Sequence, residues 1–212
     1  MRLPSGASSF APELRHVNGA RRFSQAIAEG DGISLVAEVA DLDAARAAEE
    51  HGAEGVALRS PLDGVGDVTS LPVLWRTPGS PEQAHDAGAD ACVLGFAAVD
   101  DENGDLERLY RSALELGLDC VVEVRDDSEL QRALERVDPE IFLLSGIGDD
   151  DGGPLAQALN LLQDVPAGKL AVAEVEAAGP AEVAELERAG MDGVIVPAGN
   201  VAELAGGAEP RV

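Results

Sequence analysis

The chain has 212 residues, and its 15 lysine and arginine residues stand against 40 aspartate and glutamate residues, for a formal net charge of -25. So negative a surface repels phosphate backbones and anionic lipids, which argues against a nucleic acid or a membrane as partner. Hydrophobic residues make up 45% of the chain and aromatic residues 3%, so we expect one domain with a core of Ala, Val, Leu and Ile. The only lysine is Lys169.

Cys92 and Cys120 lie in apolar runs and are expected to be small buried residues of a protein in a reducing, cytoplasmic compartment. The first ten residues do not follow the pattern of a secretion signal, and no run of about 18 apolar residues predicts a membrane span. The acidic excess is typical of a salt-adapted source and also of a GC-rich genome. Composition does not separate these two origins.

Eight short apolar runs recur between stretches of helical pattern, as in a parallel sheet with crossover helices. The predicted strands are 33–39, 55–58, 73–75, 91–95, 120–124, 141–144, 170–174 and 193–196. The predicted helices are 42–51, 81–87, 106–116, 128–136, 154–162 and 180–189. Because the strands do not alternate apolar with polar residues, both of their faces are expected to be covered.

The joints between helix and strand repeat one pattern, in which a glycine is followed two residues later by an acidic residue and then by the strand. It occurs at 51–56, 87–92, 116–121 and 189–194. Each glycine is expected to end a helix in the left-handed conformation. By contrast, segment 60–70 contains Pro61, Gly64 and Gly66, which predicts a short second helix or none.

Eight such units favour a closed (β/α)8 TIM barrel over an open doubly wound sheet. The chain is shorter than the roughly 250 residues typical of that fold, so the barrel is expected to be compact. We assign residues 1–32 to an N-terminal extension and helix, 33–204 to a single barrel and 205–212 to a flexible tail.

Three predicted strands end on a glutamate: Glu38, Glu123 and Glu174. In this fold the carboxyl ends of the strands carry the active site. A carboxylate in the barrel mouth is costly unless it pairs with a cation or binds a ligand, so the three together indicate a site. The alternative is that each binds Arg76, Arg125 or backbone amides and takes no part in chemistry.

Several stretches of the chain, taken in order, resemble indole-3-glycerol phosphate synthase, the (β/α)8 enzyme that closes the indole ring in tryptophan biosynthesis with loss of carbon dioxide and water. The stretches are 22–27, 33–39, 71–74, 87–94, 116–124 and 189–196. More specific than the joints are Ala37-Glu38-Val39, Val122-Glu123-Val124 and Ala173-Glu174. The resemblance implies a small-molecule ligand at the carboxyl end of the barrel.

The resemblance implies catalytic roles for Glu38, Glu123 and Glu174, which match the three strand-end glutamates of the family. Two lysines of the family pattern are replaced, one by Ala40 and one, the general acid, by Arg76. Arginine keeps the charge but is a poor proton donor. Where the family has an asparagine after the sixth strand, Ser145 is the nearest residue.

The phosphate-binding positions of the family are also altered. Val175 and Glu176 replace its Ser-Gly, and Pro197 and Ala198 replace its glycine and small polar residue. Proline has no amide hydrogen to donate, and a carboxylate repels a phosphate. Lys169 precedes the seventh strand and is expected at the opposite, amino end of the barrel, as a solvated cation.

The remaining candidates do not indicate a metal or a cofactor. His51 and His85 lie in the last turns of predicted helices and share no face with a cysteine or with another histidine. The acidic run 148–153 lacks the spacing of a calcium loop, and we interpret it as a solvated loop. Gly146 and Gly148 form too short a glycine run to indicate a phosphate site by themselves.

Three functional hypotheses follow. The chain is an active or divergent carbon-carbon lyase of this family, with Glu38, Arg76, Glu123, Ser145 and Glu174 at its site. Alternatively it is a non-catalytic barrel kept as a binding or assembly partner of tryptophan-pathway proteins, which the replaced lysines favour. A third hypothesis is a different small-molecule enzyme that uses the three carboxylates on an unphosphorylated substrate, for example a cation. It requires that Glu38 and Glu174 converge and that Trp75 and Phe142 leave the mouth open.

Overall fold

The structure is a computed structural model that describes residues 22–30, 32–77, 80–96, 105–146, 153–175 and 179–206. Eight parallel strands follow one another around a closed barrel, and the first pairs with both the second and the eighth. The strands are β1 (Ser34–Glu38), β2 (Gly55–Leu58), β3 (Val73–Trp75), β4 (Ala91–Gly95), β5 (Asp119–Val124), β6 (Ile141–Ser145), β7 (Leu170–Glu174) and β8 (Gly193–Pro197). The predicted (β/α)8 barrel is confirmed.

Helices lie between the strands and cover the outside of the barrel. They are α1 (Phe23–Ala28), α2 (Leu42–Glu50), α3 (Val65–Val68), α4 (Pro81–Asp86), α5 (Asp105–Glu115), α6 (Asp127–Arg136), α7 (Gly153–Leu162), α8 (Pro180–Ala189) and α9 (Val201–Gly206). Each strand and helix whose range was predicted is present, with ends shifted by at most one residue. The segment predicted to hold a short helix or none contains α3, and α9 runs two residues into the segment predicted as a tail.

The apolar core has two layers, separated by the wall of the barrel. The larger layer lies between the strands and the outer helices and includes Trp75, Phe142 and both cysteines. The smaller fills the barrel interior and includes Val36, Leu74 and Val172. This arrangement follows from the alternation of side chains along a strand, which sends successive residues to opposite faces.

Helix α1 closes the amino end of the barrel. Phe23 and Ile27 are buried among the interior side chains, and the backbone N–H of Ser24 donates to Asp119 Oδ2 at 2.8 Å. The hydroxyl of Ser34 donates to the carbonyl of Ile27 at 3.3 Å, which ties α1 to β1. The open mouth of the barrel is therefore at the carboxyl ends of the strands.

The glycines of the four repeated joints have the predicted left-handed conformation, with φ between 76° and 93°. Two of the acidic residues that follow them serve the sheet. Asp90 Oδ2 accepts from the N–H of Val73 at 2.8 Å, and Asp192 Oδ2 accepts from the N–H of Ala171 at 2.8 Å. Burial raises the pKa of both carboxyl groups. Each satisfies a backbone donor in a neighbouring strand, which the sequence did not predict.

Cys92 and Cys120 are free, buried and directly opposite each other on β4 and β5. A hydrogen bond with Cys92, together with burial, raises the pKa of the Cys120 thiol. The predicted small buried cysteines are thus confirmed. In the described part of the chain, no helix is both long enough and apolar enough to span a membrane.

Candidate functional site

The mouth of the barrel carries charged side chains directly above the apolar interior. Glu38 follows Val36 by two residues, Arg76 follows Leu74, and Glu174 follows Val172. Because residues two apart on a strand share a face, each interior side chain places the next one inward at the end of its strand. The sequence pattern therefore determines that these groups meet.

Two arginines and two glutamates form a closed network of ion pairs across this mouth. Arg76 Nη1 donates to Glu38 Oε2 at 3.0 Å, and its Nη2 donates to Glu174 Oε2. Arg59 Nε donates to the same oxygen of Glu38 at 2.7 Å, and its Nη2 donates to Glu174 Oε1 at 2.9 Å. Each guanidinium bridges both carboxylates, so the four charges cancel.

The two arginines differ in depth. The side chain of Arg76 is 7% exposed and that of Arg59 is 59% exposed, whereas those of Glu38 and Glu174 are 34% and 22% exposed. Burial acts to raise the pKa of Glu174, but the hydrogen bond from Arg76 and the charges of both arginines outweigh it, so the net pKa is lowered. The hydrogen bond to Glu38 raises the pKa of Arg59. The ion pair between Arg59 and Glu174 is therefore formed at neutral pH.

Arg59 was missed in the sequence analysis. It directly follows β2, two residues after the interior residue Ala57, and the alternation of the strand places it on the same inward face. Because of this alternation, Arg59 was predictable from the sequence as a residue of the mouth. The structure adds Arg59 to the candidate site.

Ser145 is buried at the end of β6, and its hydroxyl donates to Glu174 Oε2 at 3.3 Å. It joins the predicted group and helps to hold the carboxylate in place. Of the five predicted site residues, the structure brings four into direct contact with one another: Glu38, Arg76, Ser145 and Glu174. Their roles in chemistry stay a prediction.

Glu123 lies apart from this network. It is half-buried on β5. Its carboxylate lies against Gly95 of the neighbouring strand β4, so close that a Cβ added to Gly95 would be 2.8 Å from Glu123 Oε2. Among the described residues, none makes an ion pair with it within 4.0 Å. Arg125, one of the partners considered from sequence, instead holds the buried Glu129 of α6 at 2.6 Å. Glu123 is therefore a carboxylate without an arginine bridge.

The altered family positions lie at or beyond the strand ends. Ala40 is exposed two residues after β1, and Pro197 is exposed at the end of β8. Glu176 and the acidic run predicted as a loop lie outside the described residues. Lys169 directly precedes β7, at the predicted amino end, but it is an ion-pair partner rather than a solvated cation. Its Nζ lies 2.7 Å from Asp138 Oδ1 and its side chain is 20% exposed.

A cavity of about 200 Å³ opens beside the ion pairs, on the side of β1, β7 and β8. Its lining residues are Glu38, Arg59, Glu174, Val175, Ile195, Val196 and Pro197. Trp75 and Phe142 belong to the outer core layer and leave the mouth unplugged. Across the residues that the structure places, no three histidine, cysteine or acidic side chains are grouped to hold a metal ion.

Comparisons with known proteins agree with this barrel. A family model described as indole-3-glycerol phosphate synthase matches residues 81–199. Curated proteins named indole-3-glycerol phosphate synthase are 39% identical over 120 residues in Nocardioides sp. and 30% identical over 170 residues in Shouchella clausii. These alignments cover 54% and 72% of this chain, and 43% and 65% of the relatives. The chain thus spans about half the length of the curated relatives it matches.

A solved structure supports the fold alone. The N-acetylmannosamine-6-phosphate 2-epimerase from Clostridium perfringens superposes with a TM-score of 0.64 at 10% sequence identity. The match covers 80% of this chain and 87% of the epimerase. Because the identity is this low, the likeness carries the barrel architecture and not the epimerase chemistry.

Proposed function

The chain belongs to the indole-3-glycerol phosphate synthase family, and we propose that it is a non-catalytic member whose barrel serves in binding or assembly in tryptophan biosynthesis. One observation carries this proposal. Arg76 stands where the family has its lysine acid, and it is buried between Glu38 and Glu174. A guanidinium does not release a proton near neutral pH, so this position lacks the required acid.

The loss is large enough to matter. A positioned general acid typically contributes about 10²–10⁴ in rate, and the second family lysine is replaced by Ala40. In addition, Glu38 and Glu174 are each bridged by two guanidinium groups, and against the effect of burial the hydrogen bond from Arg76 and the charges of both arginines lower the pKa of Glu174. Arg76 and the ion pairs involve the same group of side chains, whereas Ala40 lies outside that network.

The phosphate side of the mouth supports the same proposal. Pro197 ends β8 without an amide hydrogen, and Glu174 adds a carboxylate to the cavity wall beside it. Glu38 and Glu174 match glutamates of the family, so the differences at this wall are Val175 and Pro197, which replace phosphate-binding positions of the family. The cavity is therefore a poor match for the phosphorylated substrate of the family.

One observation favours a second candidate, a divergent active lyase of the family. Glu123 is free of the arginine bridge and keeps a half-exposed carboxylate in the mouth, as a general base requires. The third hypothesis, a different enzyme, is weaker. Glu38 and Glu174 do converge, but the two arginines already occupy the space between them.

The deciding experiment is a ring-closure assay with the anthranilate-derived ribulose phosphate substrate, followed by the fluorescence of indole-3-glycerol phosphate. We expect no turnover above buffer at high enzyme concentration. Turnover that Glu123→Gln abolishes would contradict the proposal and support the second candidate. The double variant Ala40→Lys/Arg76→Lys should gain measurable turnover, whereas the exposed Arg46→Lys on α2 is a matched control that should not.

A cytoplasmic location and a partner among the tryptophan-pathway proteins are further parts of this proposal. Family membership supports both. The described surface itself does not indicate an interface, because Leu114, at 54%, is the one large apolar side chain exposed on it. Size-exclusion chromatography of the purified chain with each tryptophan-pathway enzyme of its source tests the partner. A complex that elutes early supports it, and separate elution from every enzyme contradicts it.

A further inference from the structure

The cavity beside the ion pairs has a chemical character that selects its ligand. Its volume of about 200 Å³ is below the roughly 300–1,000 Å³ of sites for drug-sized molecules. A ligand that fits is therefore small. One part of the wall is apolar, formed by Val175, Ile195, Val196 and Pro197, and the other part consists of the charged groups Glu38, Arg59 and Glu174.

The charges on this wall are already compensated. The wall itself carries the two negative charges of Glu38 and Glu174 and the positive charge of Arg59, and the second positive charge, Arg76, is buried behind it. A cationic ligand would have to displace an arginine, and an anionic ligand would meet the two carboxylates. A neutral ligand avoids both costs, because it leaves the ion pairs intact.

The wall nevertheless keeps unused hydrogen-bonding capacity. Within the described part of the chain, Glu38 Oε1 accepts no hydrogen bond and Arg59 Nη1 donates none, although both residues line the cavity. The buried Nε of Arg76, in the same network, also lacks an acceptor. A hydroxyl group donates and accepts at once, so it suits a wall that offers a carboxylate oxygen next to a guanidinium.

We propose that the mouth binds a small neutral polyol or sugar, whose hydroxyl groups contact Glu38 and Arg59 while its C–H face lies on Ile195 and Pro197. This inference rests on the proposed function, since an enzyme active on the phosphorylated family substrate would need to accept a dianion here. The ligand of the non-catalytic barrel is then a sugar or polyol that lacks the phosphate group of the family's substrate.

Titrations followed by NMR of the ¹⁵N-labelled chain test this directly, with glycerol and ribitol as neutral ligands and glycerol 3-phosphate and inorganic phosphate as anions. We expect saturable shifts of the Val175 and Ile195 amides with ribitol below about 100 mM, and at least about 10-fold weaker binding of glycerol 3-phosphate. Tighter binding of either phosphate, or no saturation by either polyol, would overturn the inference.

Two variants separate a built site from unspecific contact. Arg59→Gln should weaken ribitol binding about 10-fold, because it removes a hydrogen bond donated by a charged group. Arg46→Gln removes an exposed arginine of α2 that pairs with Asp43, and should leave binding unchanged. Equal weakening by both would refute the site. The ring-closure assay on the same samples reports separately on the proposed function.

Discussion

The two arginines of the mouth make the same contacts at different depths, and their removal should therefore have very different effects on stability. We consider Arg76→Met and Arg59→Met, because methionine keeps part of the apolar stem and removes the charge. Each variant changes the formal net charge from -25 by the same single unit, so long-range repulsion cancels in the comparison. What remains is the cost of leaving Glu38 and Glu174 with one guanidinium instead of two.

The magnitudes follow from the exposure of each group. Breaking a buried ion pair by removing one partner costs about 3–5 kcal/mol, and we reduce this to about 2–4 kcal/mol for Arg76→Met. The reduction is made because Glu38 and Glu174 are 34% and 22% exposed and water screens them in part. Arg59 is 59% exposed, so Arg59→Met should cost about 0–1 kcal/mol, as for exposed pairs. At about 3 °C per kcal/mol for a chain of this size, Arg76→Met lowers the Tm by about 6–12 °C.

Urea unfolding at pH 7, followed by circular dichroism and extrapolated linearly to water, gives both free energies. A double-mutant cycle between Arg76→Met and Glu174→Gln isolates the pair, and its coupling energy should exceed that of the cycle between Arg59→Met and Glu174→Gln. Equal costs for the two arginine variants would refute the reasoning, as would a cost below about 1 kcal/mol for Arg76→Met. Equal costs would mean that depth does not determine the contribution of each arginine, and a low cost for Arg76→Met would mean that the ion pairs of the mouth contribute little to stability.

Three further predictions concern pH, salt and the joints. Because the pKa of Glu174 is lowered in the fold, its contribution to stability is present above its unfolded-state pKa and is lost as the pH falls through the folded-state pKa. The loss of stability below about pH 4.5 should therefore be smaller in Arg76→Met than in the parent, and an equal loss would contradict the ion pair. Raising KCl from about 0.1 M to about 1 M shortens the Debye length from about 10 Å to about 3 Å. This screens the repulsion among the negative charges of the chain, so the urea concentration at the unfolding midpoint should rise, and a fall would contradict this. Asp192→Ala should cost about 1–2 kcal/mol by leaving the Ala171 amide without its acceptor, and Asp192→Asn should cost less because it keeps an oxygen there; equal costs would argue against the capping role.

The fold was predictable because each unit of the barrel repeats its own local signals. Glycine and an acidic residue recur at four joints, and the left-handed glycines of the structure occupy those positions. Alternation along each strand then determines which residues face the interior, so the convergence of Glu38, Arg76 and Glu174 also follows from sequence. Within the candidate site, a residue was predictable where it both ends a strand and matches a functional position of the family.

What the sequence could not provide was the reach of long side chains across the barrel. Arg59 contacts Glu174, 115 positions later in the chain, and no local pattern encodes that distance. For the same reason Arg125 was considered as a partner of a strand-end glutamate, whereas from the loop after β5 it binds Glu129, four residues later in the first turn of α6. The joint carboxylates Asp90 and Asp192 were recognised as a pattern, but their role as acceptors for strand amides required coordinates.

Arg76 changes both the acid–base chemistry and the charge pairing of the mouth. A lysine ammonium is a compact charge with three donors, whereas a guanidinium is a planar fork that can hold two carboxylates at once. Replacing the family's lysine by Arg76 therefore removes a proton donor and, in the same step, allows Glu38 and Glu174 to be joined across the mouth. In the proposed non-catalytic barrel, the missing lysine and half of the charge compensation in the mouth therefore come from the single residue Arg76, and Arg59 supplies the other half. Ala40 is a separate argument, because it lies outside the network, and this is why recovery of the reaction is expected only when both positions are returned to lysine.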